Sequence, residues 1–312
     1  MADDLGIRVI RTVVLFAVSA SLIVPAKGVS EPHKKGRFRA VFEEYSPLSE
    51  QRALISRMGS RANQKSSRKH AYDIREESFE VYVPDSYDSN TPYGLMVWIS
   101  PSPDGSMQHY QGVQELMDKY KIIWVGANNS GNEESTYERR IPLALDGSYN
   151  ISKIYNIDPN RVYVAGLSGG GRVASITAFH HSDVYSGGIF IIGANYWESM
   201  AVPGKKNTRW RSGGPKPRGK YLLRAKKFGR YVLLTGDNDI NRLQMHTYYE
   251  KRYRKILDNV LYIQVPGMGH EPPPIEEFEK ALQYVDRPVL KEAGQEQAMK
   301  EDMDEKADVE DK

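Results

Sequence analysis

The sequence predicts a doubly wound α/β fold: a mostly parallel sheet flanked by helices, in a single domain. Two observations carry this expectation. Short, nearly all-apolar, β-branched runs recur at 95–99, 122–125, 162–165, 189–192, 231–234 and 260–265. Such runs suit strands buried on both faces, as in a parallel sheet. Helix-length segments lie between them, and alternation of the two is the pattern of parallel crossover units. The length agrees. Of 312 residues, a leader and a polar tail account for some, and roughly 240–250 remain, enough for one large core. There is no internal repeat and no clear domain linker.

Along the chain, residues 1–26 read as a signal peptide. Arg8 and Arg11 precede an apolar run over 13–24, broken only by Ser19 and Ser21, and Val24 and Ala26 give the small-residue spacing a signal peptidase accepts. The run falls short of the roughly 20 residues of a membrane span. An uncleaved anchor and a buried helix are the alternatives. Residues 27–70 form an N-terminal extension with one helix, in which Ser46 is the N-cap, Pro47 opens the first turn and Gly59 stops a pattern through Leu48, Leu54, Ile55 and Met58.

The main domain covers 71–290. Phe79, Val81 and Val83 alternate with polar neighbours and stop at Pro84, as a half-buried strand does. Val113, Leu116 and Met117 share one helical face, as do Val173, Ile176 and Thr177, and further helices are expected over 245–257 and 275–282. Residues 201–230 stand apart. Lys205, Lys206, Arg209, Arg211, Lys216 and Arg218 lead into further basic residues up to Arg230 with no acid between. This stretch reads as a long excursion between strands, either a binding loop for an anionic partner or a solvated loop. The end, 291–312, is a charged tail with too few apolar residues to order itself.

Composition excludes several functions. Lys and Arg number 43 against 40 Asp and Glu, a net charge of +3. That near balance argues against a dedicated nucleic-acid binder. The chain has no cysteine, which excludes disulfide frameworks, thiolate metal sites, lipoprotein anchors and cysteine nucleophiles. No His/carboxylate spacing suggests a metal site. Neither metal nor cofactor is expected.

The strongest chemical signal follows the run ending at Ala165. Gly166-Leu167-Ser168-Gly169-Gly170, then a helical pattern, is G-x-S-x-G in its required strand–turn–helix context. Small residues on either side let strand and helix approach, and the serine hydroxyl is held exposed at the tip. The Gly169 amide, at the helix N-terminus, points where an oxyanion would form. Such a serine needs a base and an orienting acid, in the chain order Ser, Asp or Glu, His. His270 follows the 260–265 run on a glycine- and proline-rich loop, while Asp237 and Asp239 both follow the 231–234 run. A second oxyanion donor is expected from the loop after 95–99. Pro101 and Pro103 have no N–H, which leaves Ser102, with Ser100 or Asp104 in reserve.

The stretch Asp158-Pro159-Asn160-Arg161-Val162-Tyr163-Val164-Ala165-Gly166-Leu167-Ser168-Gly169-Gly170-Gly171 resembles the polyhydroxybutyrate depolymerase and feruloyl/acetyl-xylan esterase branch of the α/β-hydrolases. The likeness extends over roughly residues 79–286. It implies an α/β-hydrolase fold and an exported serine esterase, periplasmic or secreted, or membrane-tethered if the leader is kept. The substrate would be a small or polymeric ester, hydroxyalkanoate or carbohydrate-linked. Ser168, Asp239 and His270 fall on that group's triad positions and Gly169 on its oxyanion position. Tyr196 and Trp197, after 189–192, are candidate substrate contacts, Trp197 as a stacking platform or else a core aromatic.

Two rivals differ in class. Gly169, Gly171 and Ala174 fit a loose dinucleotide loop, but the next strand runs into Gly193-Ala194-Asn195 without the acid a ribose needs. A catalytically silent hydrolase fold that binds an anionic ligand or surface is the alternative reading.

Overall fold

Eight strands build one sheet, and the sequence shows why most of them are hidden. The computed structural model describes residues 33–62, 69–107 and 110–288; the expected signal peptide and charged tail lie outside these. The strands are β1 (Gly36–Ala40), β2 (Phe79–Val83), β3 (Tyr93–Ile99), β4 (Ile122–Ala127), β5 (Ile157–Leu167), β6 (Gly187–Ile191), β9 (Arg230–Gly236) and β10 (Val260–Val265), with a separate hairpin of β7 (Met200–Ala201) and β8 (Arg209–Trp210). They lie in the order β1-β2-β4-β3-β5-β6-β9-β10. β1 and β2 run antiparallel to their neighbours, and every later pair in the sheet is parallel.

Period-two alternation sends residues of one strand into two different cores. Leu95, Val97 and Ile99 of β3 join Val125, Val164 and Phe190 on one face. Met96 and Trp98 join Trp124, Tyr163 and Ile191 on the other. That is why β3 reads as a continuous apolar run: all its residues are buried. Helices α3 (Ile141–Ile154) and α4 (Gly169–His180) cover the first face, and α2 (Val113–Tyr120) and α8 (Ile275–Asp286) cover the second. The expected helix at 245–257 is α6 (Arg242–Tyr248), a π-helical turn (Tyr249–Tyr253) and a final turn α7 (Arg254–Ile256).

Three expectations change. Helix α1 spans Gln51–Met58 behind Glu50, so Ser46 is not its cap. Ser46 instead closes a separate turn, accepting from Ser49 N at 3.0 Å, while its own amide donates to buried Asp146 at 2.7 Å. The N-terminal extension holds a strand as well as a helix: β1, whose GRFRA residues alternate between half-buried and exposed. The basic stretch 201–230 is not one loop. It includes nearly all of the β7–β8 hairpin and, towards its end, the regular helix α5 (Gly219–Phe228), held on the body by buried Ala225. Arg230 has left the surface altogether and donates to the carbonyls of Arg287 and Asn160. Among the described residues no helix is long and apolar enough to cross a membrane.

Candidate active site

Parallel strands deliver their following loops to one end of the sheet, where ligand-binding groups collect. Ser168 stands on the turn between β5 and α4, with φ +52° and ψ −117°. Its amide donates to Ile191 O at 2.8 Å, and its carbonyl accepts from Arg172 N at 3.1 Å. The flanking glycines are required by close approach. A Cβ on Gly166 would lie 2.6 Å from Ile99 O, and one on Gly170 would lie 2.8 Å from Ile99 C.

The three side chains expected from chain order meet in one line. Ser168 Oγ lies 2.8 Å from His270 Nε2, and His270 Nδ1 lies 2.7 Å from Asp239 Oδ1. The Asp239 side chain is fully buried, whereas that of His270 is one-third exposed, at 33%. A buried carboxylate needs donors, and Asp239 has three: His270, Thr235 Oγ1 at 2.5 Å and the Asn241 amide at 3.1 Å. A carboxylate partner at Nδ1 fixes the proton there and leaves Nε2 as the acceptor facing Ser168.

Asp237 has another task. Its Oδ1 accepts from Gly267 N at 2.7 Å, and Asn238 N donates to Met268 O at 3.1 Å. The turn after β9 therefore staples the loop that carries His270.

In the loop after β3, the Ser102 amide expected as donor is bonded within the loop. The Ser102 amide is committed to Ser100 Oγ at 3.1 Å, Gly105 N donates to Asn128 Oδ1 at 3.0 Å, and Ser106 N to Asp104 Oδ1 at 2.8 Å. The Ser100 hydroxyl, two residues back, outcompetes an outward orientation by closing a local turn. This loop is laced to the one after β4: Asn129 N donates to Pro103 O and Asn132 N to Pro101 O, both at 2.9 Å. Buried Arg140 clamps the pair, donating to Ser100 O at 2.8 Å and Ser130 O at 2.9 Å. Burial alone pulls its pKa down to about 10. Neither Arg140 nor Asn132 was expected from sequence; the turn-rich Asn128-Asn129-Ser130-Gly131 run is the only signal there.

Tyr196 and Trp197 do not form an open platform. Tyr196 is buried, stacked on Trp197 at 4.1 Å and edge-on to Tyr253. Trp197 is half-buried, with its other contacts to Phe179 and Tyr253 in the core. A separate cavity of about 750 Å³ opens beside the His270 loop, lined by Trp98, Tyr110, Trp124, Met268, Pro272 and Phe278 among others. Its size is that of a small-molecule pocket. Among the described residues, no group of three or more His, Asp or Glu side chains could hold a metal ion.

Strand order, strand–turn–helix serine and late Asp and His loops together define the α/β-hydrolase fold. Solved structures show the same architecture. The chain is similar to FphF, a fluorophosphonate-binding serine hydrolase of Staphylococcus aureus, with a TM-score of 0.54 and 11% identity over 81% of this chain and 99% of that one. It is similar to a ferulic acid esterase, with a TM-score of 0.52 and 15% identity over 81% and 98% of the two chains. It is also similar to S-formylglutathione hydrolase (FrmB) of S. aureus, with a TM-score of 0.51 and 12% identity over 67% and 92%. Identities this low speak for the fold. No protein-family model matches the chain, and no curated protein matches it in sequence.

Proposed function

We propose that the protein is a serine hydrolase of carboxylic esters that works through an acyl-enzyme. The observation that carries this is the continuous hydrogen-bonded line Ser168–His270–Asp239 at the loop end of the parallel strands. Ser168 Oγ attacks the ester carbonyl carbon while its proton passes to His270 Nε2. Asp239 orients the ring and stabilises the imidazolium. The carbonyl π-electrons move onto oxygen, and the Gly169 amide at the start of α4 donates to that oxyanion. Collapse expels the alcohol, which takes the proton from His270. Water then attacks the acyl-enzyme with the same base, releasing the acid and regenerating Ser168.

The substrate class is proposed on the likeness of residues 158–171 to hydroxyalkanoate and feruloyl or acetyl-xylan esterases, and the ferulic acid esterase among the fold neighbours is compatible with it. Export is proposed on the basic and apolar character of residues 1–26. Mass spectrometry of exported protein should give a new N-terminus near Lys27, and an intact Met1 would overturn it.

The deciding experiment is labelling with a fluorophosphonate probe. Wild type is expected to label, and Ser168→Ala and His270→Ala are expected to lose labelling while staying folded. Loss of either group should also lower kcat by about 10⁴–10⁶-fold. A folded wild type that neither labels nor cleaves p-nitrophenyl esters would overturn the reading.

A further inference from the structure

The geometry points to Asn132 as a side-chain oxyanion donor that serves in place of a main-chain amide from the loop after β3. The inference rests on the hydrolase reading above. It begins with a shortage. One donor, the Gly169 amide, is built into the turn, yet the neighbouring loop has none to spare from Ser102, Gly105 or Ser106, whose amides are satisfied by side chains of the protein itself. Pro101 and Pro103 have none to give.

Asn132 stands beside the donor that is present. Its carboxamide lies directly against Gly169: a Cβ there would meet Asn132 Oδ1 first, and would be 2.7 Å from Cγ and 3.1 Å from Nδ2. Gly169 carries no side chain, and Asn132 occupies the space one would need. Its amide donates to Pro101 O at 2.9 Å, so the backbone is anchored. The next residues are anchored too: Glu134 N donates to Gly131 O, and Arg140 holds Ser130 O. The carboxamide itself has no hydrogen-bond partner among the described residues, and Asn132 is exposed to solvent. A primary amide brings two N–H donors, and rotation about its last bond exchanges them with the oxygen. A carboxamide beside the residue that follows the nucleophile, on an anchored backbone and with no partner of its own, can turn an N–H toward an oxyanion there.

The test compares wild type with Asn132→Ala and Asn132→Asp, using p-nitrophenyl acetate and the rate of fluorophosphonate labelling. Asn132→Ala is expected to lower kcat by about 10²–10³-fold, with KM changed less than about threefold and an unchanged melting temperature. Labelling should slow in step, because the phosphoryl oxygen occupies the same position. Asn132→Asp separates donation from packing. Its protonated carboxyl donates and its carboxylate repels, so its rate relative to wild type should be higher at pH 5 than at pH 8. Gly169→Ala should displace Asn132, and adding it to Asn132→Ala should cost less than its effect alone. An active wild type whose Asn132→Ala variant keeps more than about a third of kcat/KM overturns the assignment while leaving the hydrolase reading standing. A pH-independent Asn132→Asp ratio overturns it as well. An inert wild type overturns both.

Discussion

Ser168 is held in a backbone conformation that L-residues rarely adopt, with φ at +52°. Positions of this kind cost about 1–3 kcal/mol and persist where the surroundings over-determine them. Here the bonds to Ile191 O and from Arg172 N do so. Ser168→Gly and Ser168→Ala should both be inactive, but the glycine variant relieves the strain. Even after its larger unfolded-state entropy, it should be the more stable of the two by about 1 kcal/mol in urea unfolding. A glycine variant less stable than the alanine one by about 0.4–1 kcal/mol would show that the turn is unstrained. At this scale the sequence is readable where chemistry imposes an order along the chain, as for Ser168, Asp239 and His270. Asp237 and Asp239 share a loop and a residue type, and only their partners, Gly267 and His270, tell them apart. Asn132 leaves no trace in sequence because its proximity to Gly169 depends on two loops from different strands.

Among elements, α3 shows how a helix escapes a reading by pattern. Its interior contains Gly147, Ser148 and Asn150, poor helix formers, and ten of its residues are buried. Packing decides its structure, and propensity does not. β1 escaped for the opposite reason: alternating Arg37 and Arg39 disguise an edge strand that pairs only with β2. The link between the N-terminal segment and α3 is Asp146, which is fully buried and accepts from the Ser46 amide and the Tyr72 hydroxyl. Burial pushes its pKa up to about 6, above the roughly 3.9 of an unfolded aspartate. A carboxyl raised on folding contributes stability that is fully present below about pH 4 and lost as pH rises through about 6. The unfolding free energy of wild type minus that of Asp146→Asn should therefore be largest near pH 4. By pH 7 it should shrink by on the order of 2–3 kcal/mol. A pH-independent difference would sink this account.

Over the whole molecule, the sheet separates two jobs between its ends. The loop end carries the candidate site. At the other end Asp286, closing α8, pairs with Arg161 at 2.7 Å and accepts from Tyr163 Oη at 2.7 Å, while Arg161 also donates to Tyr120 O at the end of α2. Asp286→Ala leaves a partly buried guanidinium and a phenol without their acceptor and should cost about 3 kcal/mol of stability. Ester hydrolysis by the folded fraction should stay within about twofold of wild type, and a large fall in kcat/KM would contradict this division. The architecture was the most legible level because burial on both faces writes itself into sequence as unbroken apolar runs. The basic 201–230 stretch was the least legible part, since charge marks a surface without saying whether a hairpin or a helix displays it.

Arg140 has a consequence beyond holding two loops together. Its guanidinium is buried, and its hydrogen bonds run to the carbonyl oxygens of Ser100 and Ser130. A full positive charge is thus stored in a poorly polarisable interior, answered only by dipoles. Its potential decays slowly there and is little screened by ions in the surrounding water. The same cation that sets the positions of the loops also gives the region a standing preference for negative charge. That preference exists before any substrate arrives, and it depends only weakly on the ionic strength of the medium.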